Sequence, residues 1–360
     1  MRELVFPLVL SGEDGAVPVI DEAKLPQHMY AMLAATAGVT SVSVAGDTVD
    51  ALPVMVPSSK SVFGEAHYSF TLAPTLGFDH AEATGAALPA DYELAAWAPD
   101  ALLGPAWPAI YAALGSAIHN DYPVIEGLLN AVHLDHSITL KYTPEQMLER
   151  GITTIDVTSH VAAVDESSSG RIVTVALELT ANGEHVGSTQ ERFAIRGRAT
   201  GNRAPSEAAP FGGATIEVVD TPRSVLRRVS VKAPDDMTPF AIVSGDYNPI
   251  HTSYAAAKVA GMDAPLVHGM WLSATAQHAA EAVVAGQGGA QIAGWTYYMY
   301  GTVDLNDEVE ITVERVGRVV GGGLSLEVTC RINKQVVSRA SAYTFAPKVA
   351  YVYPGQGIQS

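Results

Sequence analysis

Val243-Ser-Gly-Asp-Tyr-Asn-Pro-Ile-His251 repeats, 160 residues later and without a gap, the frame of Ala83-Thr-Gly-Ala-Ala-Leu-Pro-Ala-Asp91. The register extends on both sides. Thr71-Leu-Ala-Pro74 falls on Val231-Lys-Ala-Pro234, Pro105 on Pro265, and Ala109-Ile-Tyr-Ala112 on Gly269-Met-Trp-Leu272. A period of this length is too long for a solenoid and reads as a duplicated domain. Each copy has a short strand (Tyr68–Leu72; Val229–Lys232) and a Gly/Pro loop. An apolar, alanine-rich helix follows (Trp107–Ile118; Gly269–Val284), then several alternating strands. In the first copy the strands are expected at His136–Tyr142, Thr153–Val164, Arg171–Thr180 and His185–Ile195. In the second they are expected at Trp295–Val303, Glu308–Val316, Leu324–Ile332 and Gln335–Phe345. The period-two pattern of Val309-Glu-Ile-Thr-Val-Glu314 marks a half-buried antiparallel strand. One long helix against such strands is an α+β layout.

Outside the repeat, Gly197–Gly213 reads as a linker. Residues 1–63 carry one expected helix, Leu25–Ala37, and read as a docking segment or a degenerate third copy. The domain expectation is therefore 1–63, then a first repeat at 64–199, a linker at 200–213, a second repeat at 214–347 and a tail at 348–360.

Composition bounds the function. The chain has 360 residues, which suggests two or three domains at about 150 residues each. Its net charge of −17 argues against nucleic acid as a partner. Residues 1–200 hold 9 Lys/Arg against 24 Asp/Glu, so most of that charge lies in the first part. A single cysteine, Cys330, excludes an internal disulfide and a multi-cysteine zinc site. No apolar run approaches the roughly 20 residues of a membrane span, and no signal-peptide pattern opens the chain, so a cytoplasmic location is expected.

The chemistry is expected in the second copy. Asp246 and His251 flank an Asn-Pro turn, and a carboxylate meeting an imidazole can move a proton near neutral pH. Asn248 can orient one of them or a water. Gly269 opens the apolar helix, where its N–H is free to bind a carbonyl oxygen that gains charge. At the matching positions the first copy has Ala86, Leu88 and Asp91, so it keeps the Gly and Pro of the turn without the Asp-Asn-His set. Acid, base and oxyanion donor together suit proton abstraction next to a carbonyl. His133-Leu-Asp-His136 suggests a metal site at first sight. Strand alternation, however, would put His133 and Asp135 on one face and His136 on the other, so no metal is expected. The group Arg223, Arg227, Arg228 and Lys232 reads either as a docking face for an acidic carrier protein or as a solvated basic face.

The segment resembles the signature of the MaoC-like, or R-specific enoyl hydratase, family. That signature runs Gly-Asp-x-Asn-Pro-x-His, then Ala-Gly, then His-Gly-Met, and here these are Gly245–His251, Ala260-Gly261 and His268–Met270. The resemblance covers roughly residues 225–346. It implies a tandem hot dog fold, a long helix wrapped by an antiparallel sheet in each copy, with the first copy non-catalytic and shaping the acyl tunnel. It also implies one active site per chain, without metal or cofactor. The chain further resembles the dehydratase region of fungal and bacterial type I fatty acid synthases. The tail Tyr351-Val-Tyr-Pro-Gly-Gln-Gly-Ile-Gln-Ser360 looks like the start of their malonyl/palmitoyl transferase domain. This implies a dehydratase of (3R)-hydroxyacyl thioesters carried by an acyl carrier protein, reversible as a hydratase and flanked by other synthase domains. The rivals are a free-standing R-specific enoyl-CoA hydratase and a non-catalytic acyl-binding or scaffold module.

Overall fold

The computed structural model describes residues 8–11, 17–20, 55–56, 65–89, 97–116, 118–119, 122–123, 131–167, 170–196, 216–259, 261–285 and 291–347. The expected helix at 25–37, the linker, Asp91 and the 348–360 tail lie outside them. Of 1–63, two hairpin strands, β1 (Leu8–Ser11) and β2 (Val17–Ile20), pair with each other, and β3 (Met55–Val56) pairs with the first strand of the first copy.

The first copy runs β4 (Glu65–Thr71), α1 (Thr75–Gly85), a 3-10 turn (Pro99–Leu102), α2 (Leu103–Ser116), then β5 (Ile118–His119), β6 (Tyr122–Pro123) and β7 (Ala131–Leu140). It continues with α3 (Pro144–Glu149), β8 (Thr154–Ser167), β9 (Gly170–Ala181) and β10 (Glu184–Arg196). The second copy runs β11 (Val218–Lys232), α4 (Thr238–Ser244), a 3-10 turn (Pro249–His251), α5 (Tyr254–Val259), α6 (Gly269–Ala285), β12 (Ile292–Met299), β13 (Glu308–Val319), β14 (Leu324–Ile332) and β15 (Gln335–Thr344).

The main sheet has the order β11-β13-β14-β15-β12-β7-β10-β9-β8-β4-β3. Read outward from the β12–β7 seam, both copies have the same order, β12-β15-β14-β13-β11 and β7-β10-β9-β8-β4. Among the described residues every strand pairing in it is antiparallel. This is a double hot dog. The alternation expected from the sequence is visible in the packing, where Val309, Ile311 and Val313 of β13 are buried, as are Val173, Val175, Leu177 and Leu179 of β9. Each such side chain contributes about 1.5–3 kcal/mol of apolar burial. Among the described residues no helix is long and apolar enough to cross a membrane.

β7 begins at Ala131 and not at His136, β12 ends at Met299 and not at Val303, and three further expectations need correction. β11 begins at Val218 and not at Val229, because its first part is an edge strand facing solvent and lacks an apolar stripe to betray it. Pro222 sits within its register shift between Asp220 and Ser224, a place where a missing N–H is tolerated. On this strand Arg223 pairs with Glu314 (2.9 Å) and Glu327 (2.7 Å), and Arg228 lies 3.9 Å from Glu310, so part of the basic group is already neutralised by β13 and β14. Helix α2 starts at Leu103 rather than Trp107. Pro105 lies in its first turn, where its missing N–H costs nothing.

The third correction concerns His133-Leu-Asp-His136. A bulge pairs Arg192 with Asp135 but the next residue, Phe193, with His133, which breaks the alternation. His133 and His136 therefore both reach Glu191, at 2.9 and 2.7 Å, while Asp135 pairs with Arg192.

His136 is fully buried and donates both ring N–H groups, Nδ1 to Glu191 and Nε2 to Asp100 at 2.8 Å. Burial opposes its charge, but the two carboxylates outweigh that and push its pKa up to about 10. Asp100 also accepts from Ser273 Oγ (2.7 Å) and Gln277 Nε2 (2.6 Å), one turn apart on α6. Thr275 and His278 of the same helix bond Thr84 of α1. Four polar side chains of α6, Ser273, Thr275, Gln277 and His278, are thus matched by groups of the first copy.

Candidate active site

Helix α4 ends on Gly245, whose φ of 67° is left-handed and favours glycine. A Cβ there would lie 3.0 Å from the Gly104 carbonyl, so the loop packs directly on the first copy. The chain then makes nested turns. The Asn248 N–H donates to Asp246 Oδ1 at 3.1 Å, and Asn248 Oδ1 caps the next 3-10 turn by accepting from Ile250 N at 3.3 Å. Asn248 therefore does both things: it stabilises the turn with its side chain and orients Asp246 with its backbone.

That 3-10 turn presents His251. Its Nδ1 lies 2.8 Å from the Leu266 carbonyl. A carbonyl only accepts, so Nδ1 carries the proton, and the neutral ring keeps its lone pair on Nε2. Burial lowers the His251 pKa against the opposing pull of Asp246 and the Leu266 carbonyl. The ring is thus held as a neutral base.

His268, which the sequence reading quoted but gave no role, completes the cluster. Its ring stacks on His251 with centroids 3.8 Å apart, and its Nε2 donates to the Asp246 carbonyl oxygen at 3.0 Å. Burial, then the neighbouring His251, push its pKa down to about 3. It acts as a neutral donor that braces both partners. The signal for it lay in the same His-Gly-Met segment that supplied Gly269. Asp246, His251 and His268 offer ligand atoms within 4.8 Å of one another, a spacing that could hold a metal ion. Two of the ring nitrogens already face main-chain carbonyls, so a cation would have to compete with those bonds.

Gly269 is the first residue of α6, and its N–H has no acceptor within the helix. An added Cβ would collide with Met299 Sδ. Beside Asp246 lies a cavity of about 20 Å³, bounded by His80, Asp100, Trp107, Phe240 and Met270 among others. That is room for about one water. From α2 of the first copy, the Tyr111 hydroxyl comes within 3.4 Å of Asp246 Oδ1, a contact that nothing local in the sequence announces.

A neutral imidazole and a carboxyl group held this close can exchange a proton with a bound group. The comparisons agree with that class. Residues 213–335 match the family model described as MaoC like domain. Over 135 residues, 36% of this chain and 7% of the relative, the chain is 30% identical to a fatty acid synthase beta subunit of Emericella nidulans. Over 126 residues, 35% of this chain and 6% of the relative, it is 31% identical to the fatty acid synthase subunit beta of Saccharomyces cerevisiae. The chain thus spans a small part of these relatives. In fold it is similar to a MaoC-like dehydratase of Phytophthora capsici (14% identity, TM-score 0.57, covering 79% of this chain and 97% of that one). It is likewise similar to HtdX of Mycobacterium tuberculosis (15% identity, TM-score 0.52, covering 77% and 98%). The match to the MaoC like domain thus falls on the second copy, the one that carries Asp246, His251 and His268.

Proposed function

We propose that the chain dehydrates (3R)-hydroxyacyl thioesters to trans-2-enoyl thioesters, and runs the reverse hydration, on acyl groups held by an acyl carrier protein within a fatty acid synthase. In this reading residues 214–347 form the catalytic repeat, and residues 64–199 form a non-catalytic repeat that walls the acyl chain. The thioester carbonyl accepts from the Gly269 N–H, which acidifies the hydrogen on C2. His251 Nε2 takes that proton, and the C2–H electrons become the C2=C3 π bond. The C3–O bond breaks as Asp246 gives its proton to the departing oxygen, and water leaves. The pair is then reset by returning the proton from His251 to Asp246.

The observation that carries this reading is the fixed tautomer of His251. The Leu266 carbonyl holds the Nδ1 proton, which leaves the Nε2 lone pair available on a ring that has a nitrogen within 4.8 Å of Asp246. The carrier and the neighbouring synthase domains are supported by the likeness to fungal beta subunits.

The test is hydration of a crotonyl thioester, offered as the CoA and as the carrier-protein ester. Loss of enoyl absorbance and the chirality of the product would be followed. Wild type should form the R product, with the carrier-protein ester preferred. Asp246→Asn and His251→Ala should each lower kcat by about 10²–10⁴-fold with little change in melting temperature. A folded wild type with no turnover on short or long chains would refute the reading. Preference for the CoA ester would refute the choice of carrier.

A further inference from the structure

Helix α2 belongs to the copy without the Asp-Asn-His set, yet it delivers the Tyr111 hydroxyl to Asp246 Oδ1 at 3.4 Å. The side chain is 6% exposed and stands edge-on to Trp107, with ring centroids 5.7 Å apart at 87°. It is therefore held by packing, and phenylalanine would serve that packing equally well. The duplication supplies a comparison. Trp271 occupies the position 160 residues on and donates Nε1–H at 3.1 Å to the Ala83 carbonyl in the last turn of α1, three residues before Ala86, the counterpart of Asp246. Each helix thus sends an aromatic donor across to the other copy. In one direction it meets a main-chain carbonyl, and in the other the carboxylate of the site.

Building on the hydratase–dehydratase reading, we propose that Tyr111 is a positioning residue for that reaction, its hydroxyl holding Asp246 Oδ1 and stabilising the carboxylate left once Asp246 has protonated the departing oxygen. The non-catalytic copy would then contribute to the chemistry as well as to the acyl wall. Oδ1 has a second donor, the Asn248 N–H, so the group is oriented from both copies. The other titratable groups near Asp246 are His251 and His268 from its own copy, with His80 of α1 and Asp100 of the 3-10 turn across the small cavity. Burial, and then the Asp246 charge, raise the Tyr111 pKa well above its ordinary value, so it stays a donor through the working pH range. The 3.4 Å distance is long for an O–H···O bond, and such contacts tighten when substrate closes the site.

The test compares Tyr111→Phe with wild type in the pH profile of kcat on the crotonyl thioester. In parallel, the Asp246 carboxyl is titrated by carbon-13 NMR, its signal assigned by its loss in Asp246→Asn. The variant should raise the Asp246 titration and the acidic limb of the profile by about half to one pH unit, equivalent to about 0.7–1.4 kcal/mol. It should lower kcat about 5- to 10-fold and leave KM within twofold. If Tyr111→Phe fails to fold, 3,5-difluorotyrosine at position 111 keeps the shape with a stronger donor and should move both readouts down. An unchanged titration in an active enzyme overturns the proposal, and so does a change confined to KM, which would make Tyr111 a wall of the acyl site. An inactive wild type sinks the underlying reading, while the NMR titration still decides whether Tyr111 holds Asp246.

Discussion

Replacing His136 by leucine should be among the most costly single changes in the molecule. The imidazolium lies between Glu191 and Asp100, at 2.7 and 2.8 Å, and has no exposure to solvent. Its pKa rises from 6.5 to about 10, and at about 1.36 kcal/mol per unit that coupling is worth roughly 5 kcal/mol. The usual cost of abandoning one partner of a buried pair is about 3–5 kcal/mol. The lower end fits here, because Asp100 would keep Ser273 and Gln277 and Glu191 would keep His133. A loss near 3 kcal/mol is a large part of the roughly 5–15 kcal/mol that stabilises a native fold.

Because the folded pKa is the higher one, the contribution is complete below pH 6.5. It declines between the two values and is gone above about pH 10. Urea unfolding followed by tryptophan fluorescence is a suitable assay, since Trp295 donates to Ser273 of the same network. The gap between wild type and His136→Leu should narrow from pH 6.5 to 10. Adding Asp100→Asn and Glu191→Gln to the leucine variant should recover over half of the loss. A cost below about 1 kcal/mol, or a gap independent of pH, would refute the reasoning.

Glu281 shares the sign of that pH dependence for the reverse reason, since here burial disfavours the charged form. Burial pushes its pKa up from 4.5 to about 8, so ionisation opposes folding as pH rises through that interval. Glu281→Gln should match wild type near pH 4.5 and exceed it by a few kcal/mol at pH 9, read by calorimetry at both pH values; equal stability at pH 9 would be the contrary result. Gly269→Ala drives a methyl group into Met299 and should cost about 1–3 kcal/mol in thermal melts, with most of it recovered by adding Met299→Ala. A Gly269→Ala protein that melts like wild type would show that Met299 simply swings away.

Much of the fold could be read along the chain because duplication turns one weak signal into two. β7 and β12, at 131–140 and 292–299, nearly superpose at the 160-residue offset, and the expected helix at 269–284 is extended by one residue. The legible part of the site is also local. Asp246, Asn248 and His251 lie within six residues, and their turn chemistry is encoded there. What escaped notice depends on contacts between distant segments. Tyr111 and Asp246 are 135 residues apart, and Gln277 and Asp100 177 apart. The bulge at His133–Asp135 adds a residue that alternation cannot foresee. The first part of β11 is an edge with no buried face, so it leaves no hydrophobic period to detect.

The asymmetry between the copies has a physical explanation in how each uses the shared frame. Where the second copy places His268 and Gly269, the first has Pro108 and Ala109, and the Ala109 carbonyl accepts from Ser159 Oγ at 2.7 Å inside the core. Where the second has Asp246 and Asn248, the first has Ala86 and Leu88, and Leu88 is buried. These changes add apolar burial to the first copy and remove the groups that could move a proton. The second copy accepts a less comfortable loop, with two neutral histidines stacked beside a carboxylate. It is braced by contacts from its neighbour, namely Gly104 against Gly245 and Tyr111 on Asp246. A polar site with buried histidines is more easily kept on one copy when the other supplies rigid walls. In the proposed reaction the first copy is thus part of the site's supporting shell rather than a spent duplicate.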